Sequence, residues 1–114
     1  MKLYGGIDLH SNHCVVVLLD EADRVVYEKR LANDLGAILR ELEPHRTEIQ
    51  GLVVESTFNW YWLVDGWQGA GYPVHLANPA GIQPYRGLKY TDDHRDARWL
   101  APWLRLGVLP EGYI

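Results

Sequence analysis

The order of apolar runs predicts a mixed α/β domain, a five-stranded sheet with flanking helices in the order βββαβαβα. Three observations predict it. Short runs rich in Val, Ile and Leu recur between turn residues, as strands do. Two stretches carry apolar residues at i, i+3, i+4, i+7, the period of an amphipathic helix. Each helical stretch follows a strand run, the alternation from which parallel strands are built.

Leu3 to Ile7 and Cys14 to Leu19 read as the first two strands, joined by the polar segment His10, Ser11, Asn12, His13, and Asp20 to Asp23 make the next turn. Arg24 to Leu31 alternates, with Val25, Tyr27 and Leu31 on one side, which predicts a third strand and an antiparallel meander. Asn33 or Asp34 can cap a helix whose stripe is Leu35, Ile38, Leu39 and Leu42, with Pro44 marking its end. A fourth strand runs from about Ile49 to Glu55. Ser56 and Thr57 are placed to cap a second helix through about Ala70, which Gly71 terminates. Tyr72 to Leu76 is the fifth strand, Asn78 and Pro79 open a helical turn, and Gly81 to Lys89 reads as a loop. Thr91 or Asp92 caps a last helix with the stripe Ala97, Leu100, Ala101, Leu104.

Length and composition bound the function. With 114 residues, 47% of them hydrophobic, the chain suits one domain with one core. No apolar stretch reaches the roughly 20 residues that span a bilayer, and the N-terminus lacks the charged-then-apolar pattern of a signal peptide, so a cytoplasmic location is expected. Cys14 is the single cysteine, which excludes an intrachain disulfide and a multi-thiolate zinc site. Inside its apolar run it reads as a small buried hydrophobe rather than a reactive thiol. The net charge of -4 is low for a nucleic-acid binder, whose affinity rests on neutralising phosphates. Basic surface is therefore expected from chain beyond this domain or from partner subunits, and bound divalent cations would offset part of the negative charge.

Four acids stand out. Asp8 follows the apolar start of the first strand, Glu55 closes the fourth, and Asp93 and Asp96 lie one helical turn apart. A carboxylate at the end of a buried strand costs several kcal/mol, roughly, unless a cation or hydrogen bonds offset it. Right-handed crossovers make the fourth and fifth strands parallel to the first, and the carboxyl ends of parallel strands form the ligand crevice. Asp8 and Glu55 meet there on adjacent strands. At about 100° per residue the apolar stripe of the last helix centres near Asp93, with Asp96 about 60° away at its edge and Asp92 about 100° away toward solvent. Four inward carboxylates suit Mg²⁺ or Mn²⁺. Two such ions about 4 Å apart support in-line phosphoryl displacement. The plainer alternative is that the helix acids favour the N-terminal dipole and Asp8 starts a turn.

Smaller features carry weaker signals. Phe58, Trp60, Tyr61, Trp62 and Trp67 could stack nucleobases, but the four-residue spacing of Phe58 and Trp62 favours core packing or a subunit contact. Trp99 and Trp103 flank the last stripe and suggest an oligomeric or domain interface. Tyr85, Arg86 and Lys89 precede the acidic helix and are candidates for phosphate contacts. His10 and His13 flank the Asp8 turn and read as solvated turn histidines, His94 could reach the metal region from the helix N-terminus, and His45 and His75 show no constellation.

Gly6-Ile7-Asp8, Val53-Val54-Glu55-Ser56-Thr57, His75-Leu76-Ala77-Asn78-Pro79, and Leu88 through Asp93 on to Asp96-Ala97 and Leu100-Ala101 together resemble the N-terminal RuvC-like domain of the DEDD transposases, the pilin gene-inverting or bridge-RNA-guided recombinase family. Gly-Ile-Asp alone is shared with actin-like ATPases; the Asp-x-x-Asp-Ala signature after Lys89, downstream of Glu55, is far more specific. The resemblance implies a ribonuclease H-like fold with the tetrad Asp8, Glu55, Asp93 and Asp96 on two divalent ions. It also implies DNA strand cleavage and transfer in transposition of an insertion element, guided by a structured RNA. In the family a C-terminal domain carries a serine nucleophile. The chain ends at Ile114 without it, so residues 1–114 are expected to be an N-terminal RuvC-like domain, a homo-oligomer that works with a C-terminal transposase domain, and Ser11 and Ser56 are not assigned the nucleophile role. The alternatives are a metal-silent interaction module, a nuclease or Holliday-junction resolvase relative, and half of an actin-like ATPase, the last lacking a second glycine-rich phosphate loop.

Overall fold

The computed structural model describes residues 1–55, 59–77, 100–107 and 111. Five strands, β1 (Leu3–Leu9), β2 (His13–Leu19), β3 (Val25–Ala32), β4 (Ile49–Glu55) and β5 (Val74–Ala77), form one sheet in the order β3-β2-β1-β4-β5. β2 runs antiparallel to β1 and to β3, whereas β4 is parallel to β1 and to β5. Helix α1 (Leu35–Leu42) leads into a 3-10 turn (Glu43–His45), α2 (Tyr61–Gly69) connects β4 to β5, and residues 100–105 form a last helical segment, α3. Among the described residues no helix is long and apolar enough to cross a membrane.

Period-two alternation divides the sheet side chains between two cores. On one face Ile7, Cys14, Val16, Leu18, Leu52, Val54 and Leu76 pack against Ile38 and Leu42 of α1 and Leu63, Val64 and Trp67 of α2. On the other, Val15, Val17 and Leu19 surround Ala101, while Val53 and Ala77 surround Leu100 with Leu104 beside them. Both faces are thus covered by helix, which is why β2 and β4 read as continuous apolar runs rather than alternating ones.

Local chemistry sets the element ends. Asp34 is the N-cap of α1, its carboxylate accepting the Ala37 N–H at 3.3 Å, and Gly71, at φ 91°, follows α2 in the left-handed region that ends helices. Asp20 organises the β2–β3 turn by accepting from the Ala22 and Arg24 N–H groups at 2.8 and 3.0 Å. Three expectations are corrected. Helix α2 begins at Tyr61 rather than after Thr57: Asn59 sits at φ 53°, and a left-handed residue cannot lie inside a right-handed helix. The fifth strand begins at Val74 rather than Tyr72, because the Tyr72 N–H is still engaged by Trp67 O at the end of α2. Val25 does not face the core. Leu18 pairs with Tyr27 but Leu19 with Val25, so Val26 is an extra, bulged residue, and Val25 and Val26 are 47% and 40% exposed at the sheet edge. The expected turn at Asn78 and Pro79, the loop Gly81 to Lys89 and the first part of the last helix lie outside the described residues.

Two contacts seat α3 on the sheet. Gly51 of β4 provides the gap that Leu104 fills: a Cβ there would lie 2.8 Å from Leu104 Cδ2 and 3.1 Å from the His75 ring. Across 82 positions of sequence, Arg105 donates from Nε and Nη2 to the two carboxylate oxygens of Asp23, at 3.0 and 2.8 Å, tying α3 to the β2–β3 turn. Asp23 itself is held at φ 60°, where glycine would be less strained, so its side chain rather than its backbone accounts for an aspartate there. Gly51→Val should improve strand propensity yet lower stability by about 1–3 kcal/mol through overpacking, measured by urea unfolding. A variant more stable than wild type would contradict the seating of α3 on β4.

Candidate active site

The parallel strands β1, β4 and β5 end on the same side of the sheet, at Leu9, Glu55 and Ala77. The β1–β4 register runs through Ile7–Val54, and one residue further come Asp8 and Glu55. Asp8 pairs with Val15 on its other side and Glu55 with Ala77, and both partners belong to the core covered by α3. Alternation therefore sends the two carboxylates to the α3 face, on neighbouring strands about 4.8 Å apart. They are hard oxygen donors, the set that Mg²⁺ and Mn²⁺ take. Two acids are half of the expected tetrad. Among the described residues no group of three or more His, Cys, Asp or Glu side chains is arranged around a common point. Asp93 and Asp96 lie outside the described residues, as do Asp92, Tyr85, Arg86, Lys89, His94, Phe58 and Trp99.

One residue at this site was undervalued by the sequence reading. His10 is not merely solvated: its Nε2 lies 2.9 Å from Asp8 Oδ2, and the Asp8 side chain is only 17% exposed. The imidazole offsets part of the cost of placing a carboxylate there, so partial burial of Asp8 does not by itself demand a metal. The turn beneath is firmly built. The His10 N–H donates to His13 O at 2.9 Å, the His13 ring stacks on the His10 ring at 4.7 Å, and Asn33 Nδ2 donates to His10 O at 2.7 Å. The sequence signal was the two-residue spacing of Asp8 and His10 across a strand end, which lets their side chains lie on one side. His75, which showed no constellation in the sequence, binds Glu111 Oε1 through Nδ1 at 2.7 Å, and Ala77 forms an isolated antiparallel bridge with Glu111.

Other candidates resolve differently. Trp67 is fully buried, as is most of the face of α2 that packs on the sheet, so it is core rather than a base-stacking platform. Trp60 and Trp62 are partly buried against the same core, while Tyr61 is 62% exposed and stacks on Trp60 at 4.1 Å. Trp103 is half-buried in α3. Cys14 is fully buried, and desolvation, followed by the negative charge of Asp8, pushes its thiol up to about 11 from an ordinary 9.0. The sign follows directly. The unfolded thiol ionises first as pH rises past 9, so the stability tied to a neutral Cys14 is complete below 9 and is lost toward 11. Iodoacetamide at pH 8 should leave native Cys14 unmodified and label it in urea, read by mass spectrometry. Native labelling at the rate of a free thiol would contradict this burial.

Comparison with known proteins places this geometry. Among curated protein sequences none matches the chain. Among solved structures, the T. thermophilus RuvC in complex with Holliday junction substrate is similar with a TM-score of 0.67 at 18% identity, over 98% of this chain and 100% of that one. The mixed sheet with its flanking helices is therefore the RuvC-like, ribonuclease H-like fold expected from the sequence. A family model described as a transposase, of the DEDD type, matches residues 5–110, a span that holds Asp8, Glu55, Asp93 and Asp96. The chain belongs to the DEDD transposase family, as a transposase or recombinase domain on a RuvC-like fold.

Proposed function

We propose that this domain cleaves and transfers DNA strands during transposition of an insertion element, with Asp8 and Glu55, joined by Asp93 and Asp96, holding two Mg²⁺ or Mn²⁺ ions. The observation that carries the proposal is the β1–β4 register, which brings Asp8 and Glu55 to one face at the carboxyl ends of the parallel strands. Asp96 and Asp93 precede Leu100 by one and two helical turns in sequence, and Leu100 packs on Val53 and Ala77 next to Glu55. A helix continued back from Leu100 would carry both acids on its sheet side. Bound there, divalent ions supply an activated water and charge neutralisation at the phosphodiester.

The residues of the chain have distinct tasks in this scheme. Asp8, central in the sheet, would hold the metal together with Glu55 and Asp96, and Asp93 would position a second ion or its water. Tyr85, Arg86 and Lys89 contact the phosphate backbone. RuvC bound to a Holliday junction supports DNA as the substrate, and a branched junction as its form. The complete reaction is shared with a C-terminal transposase domain, a structured guide RNA and further copies of the chain. The His10–Asp8 hydrogen bond favours a second reading, a metal-silent interaction module in which His10 helps satisfy the acid.

Two measurements separate these readings. Mn²⁺ at about a hundred times its dissociation constant should stabilise the wild type by about 2.7 kcal/mol in thermal unfolding. It should leave Asp8→Asn and Glu55→Gln unshifted. In a nicking assay on a labelled four-way junction, cleavage should require Mg²⁺ or Mn²⁺ and vanish in both variants. Cleavage in a chelator, or by Asp8→Asn, would refute the metal assignment, and a well-folded wild type with no Mn²⁺ shift would favour the silent module.

A further inference from the structure

We propose that His10 is a positioning residue for Asp8, a hydrogen-bond donor that fixes the carboxylate so that it ligates a divalent ion through Oδ1 alone. The inference rests on the metal reading above and adds to it a residue outside the acidic tetrad. His10 Nε2 lies 2.9 Å from Asp8 Oδ2, so the ring carries its proton on Nε2 and donates it. A donor on one carboxylate oxygen does two things. It restrains rotation about the terminal torsion, and by occupying one lone pair of Oδ2 it disfavours bidentate chelation of one ion. Ligating carboxylates are commonly hydrogen-bonded in this way by residues behind them.

The support under His10 is what an orienting role requires. Its backbone is held at both polar atoms, N–H to His13 O at 2.9 Å and C=O from Asn33 Nδ2 at 2.7 Å, and its ring lies against that of His13, inclined by 19°. Asn33 comes from the junction of β3 and α1, remote in sequence from the turn. Its Oδ1 is buried with no hydrogen-bond partner among the described residues. The His10 ring is itself 38% exposed, so its removal does not open the core.

The experiment is calorimetric titration of Mn²⁺ into wild type, His10→Ala, His10→Gln and Asp8→Asn, with metal-free thermal unfolding of each. Glutamine offers an amide N–H donor on a side chain of similar reach. His10→Ala should bind Mn²⁺ about 10–100-fold more weakly than wild type. His10→Gln should recover most of that loss, while metal-free unfolding shows all three folded, with His10→Ala lowered only by its lost hydrogen bond. Wild-type affinity in His10→Ala, or a His10→Gln as weak as His10→Ala while both fold, would overturn the role of His10 and leave the metal reading standing. A wild type that binds no Mn²⁺ and matches Asp8→Asn would overturn both.

Discussion

Parallel pairing between β1 and β4, in the register that sets Ile7 against Val54, is the constraint on which the rest depends. Because side chains alternate, that register commits Ile7, Val54 and Leu52 to the core under α1 and α2, and it commits Asp8 and Glu55 to the opposite face. A slip of β4 by one residue would turn Glu55 into the apolar core under α1 and α2 and carry Leu52 and Val54 out of it, an error of several side-chain burials at about 1.5–3 kcal/mol each. The site is therefore specified by the hydrophobic core rather than by any attraction between its own residues. Asp8 and Glu55 carry like charge, and the sheet holds them together against it.

The opposite face then decides what can join them. Leu100, Ala101 and Leu104 lie across β2, β4 and β5, Gly51 leaves room for that approach, and the Asp23–Arg105 pair anchors the far end. Such a partly exposed ion pair contributes little stability of its own, but its two-point geometry fixes the direction of a short helix. The chain just upstream of Leu100 contains Asp93 and Asp96.

The sequence showed the succession of strands and helices along the chain, a cap for α1 at Asn33 or Asp34, the Gly71 terminus and the convergence of Asp8 with Glu55, because these depend on local period, turn chemistry and crossover handedness. It missed features that depend on three-dimensional context. The start of α2 was displaced by the left-handed Asn59, although Ser56 and Thr57 are good capping residues. The bulge at Val26 turned an alternating valine out of the core, since an edge strand can bend where a central one cannot. The Arg105–Asp23 pair is unreadable at a separation of 82 residues. His10 was visible as a residue beside Asp8, but turn histidines are so often solvated that spacing alone could not distinguish a partner from a bystander.

The central claim is that Asp8 and Glu55 are brought together to share a divalent ion. Anomalous diffraction from crystals grown with Mn²⁺ tests it most directly. The account predicts a manganese peak between the two carboxylates, coordinated by Asp8 Oδ1 and Glu55 with His10 still on Asp8 Oδ2. Manganese bound elsewhere, with Asp8 engaged by His10 alone, would contradict it.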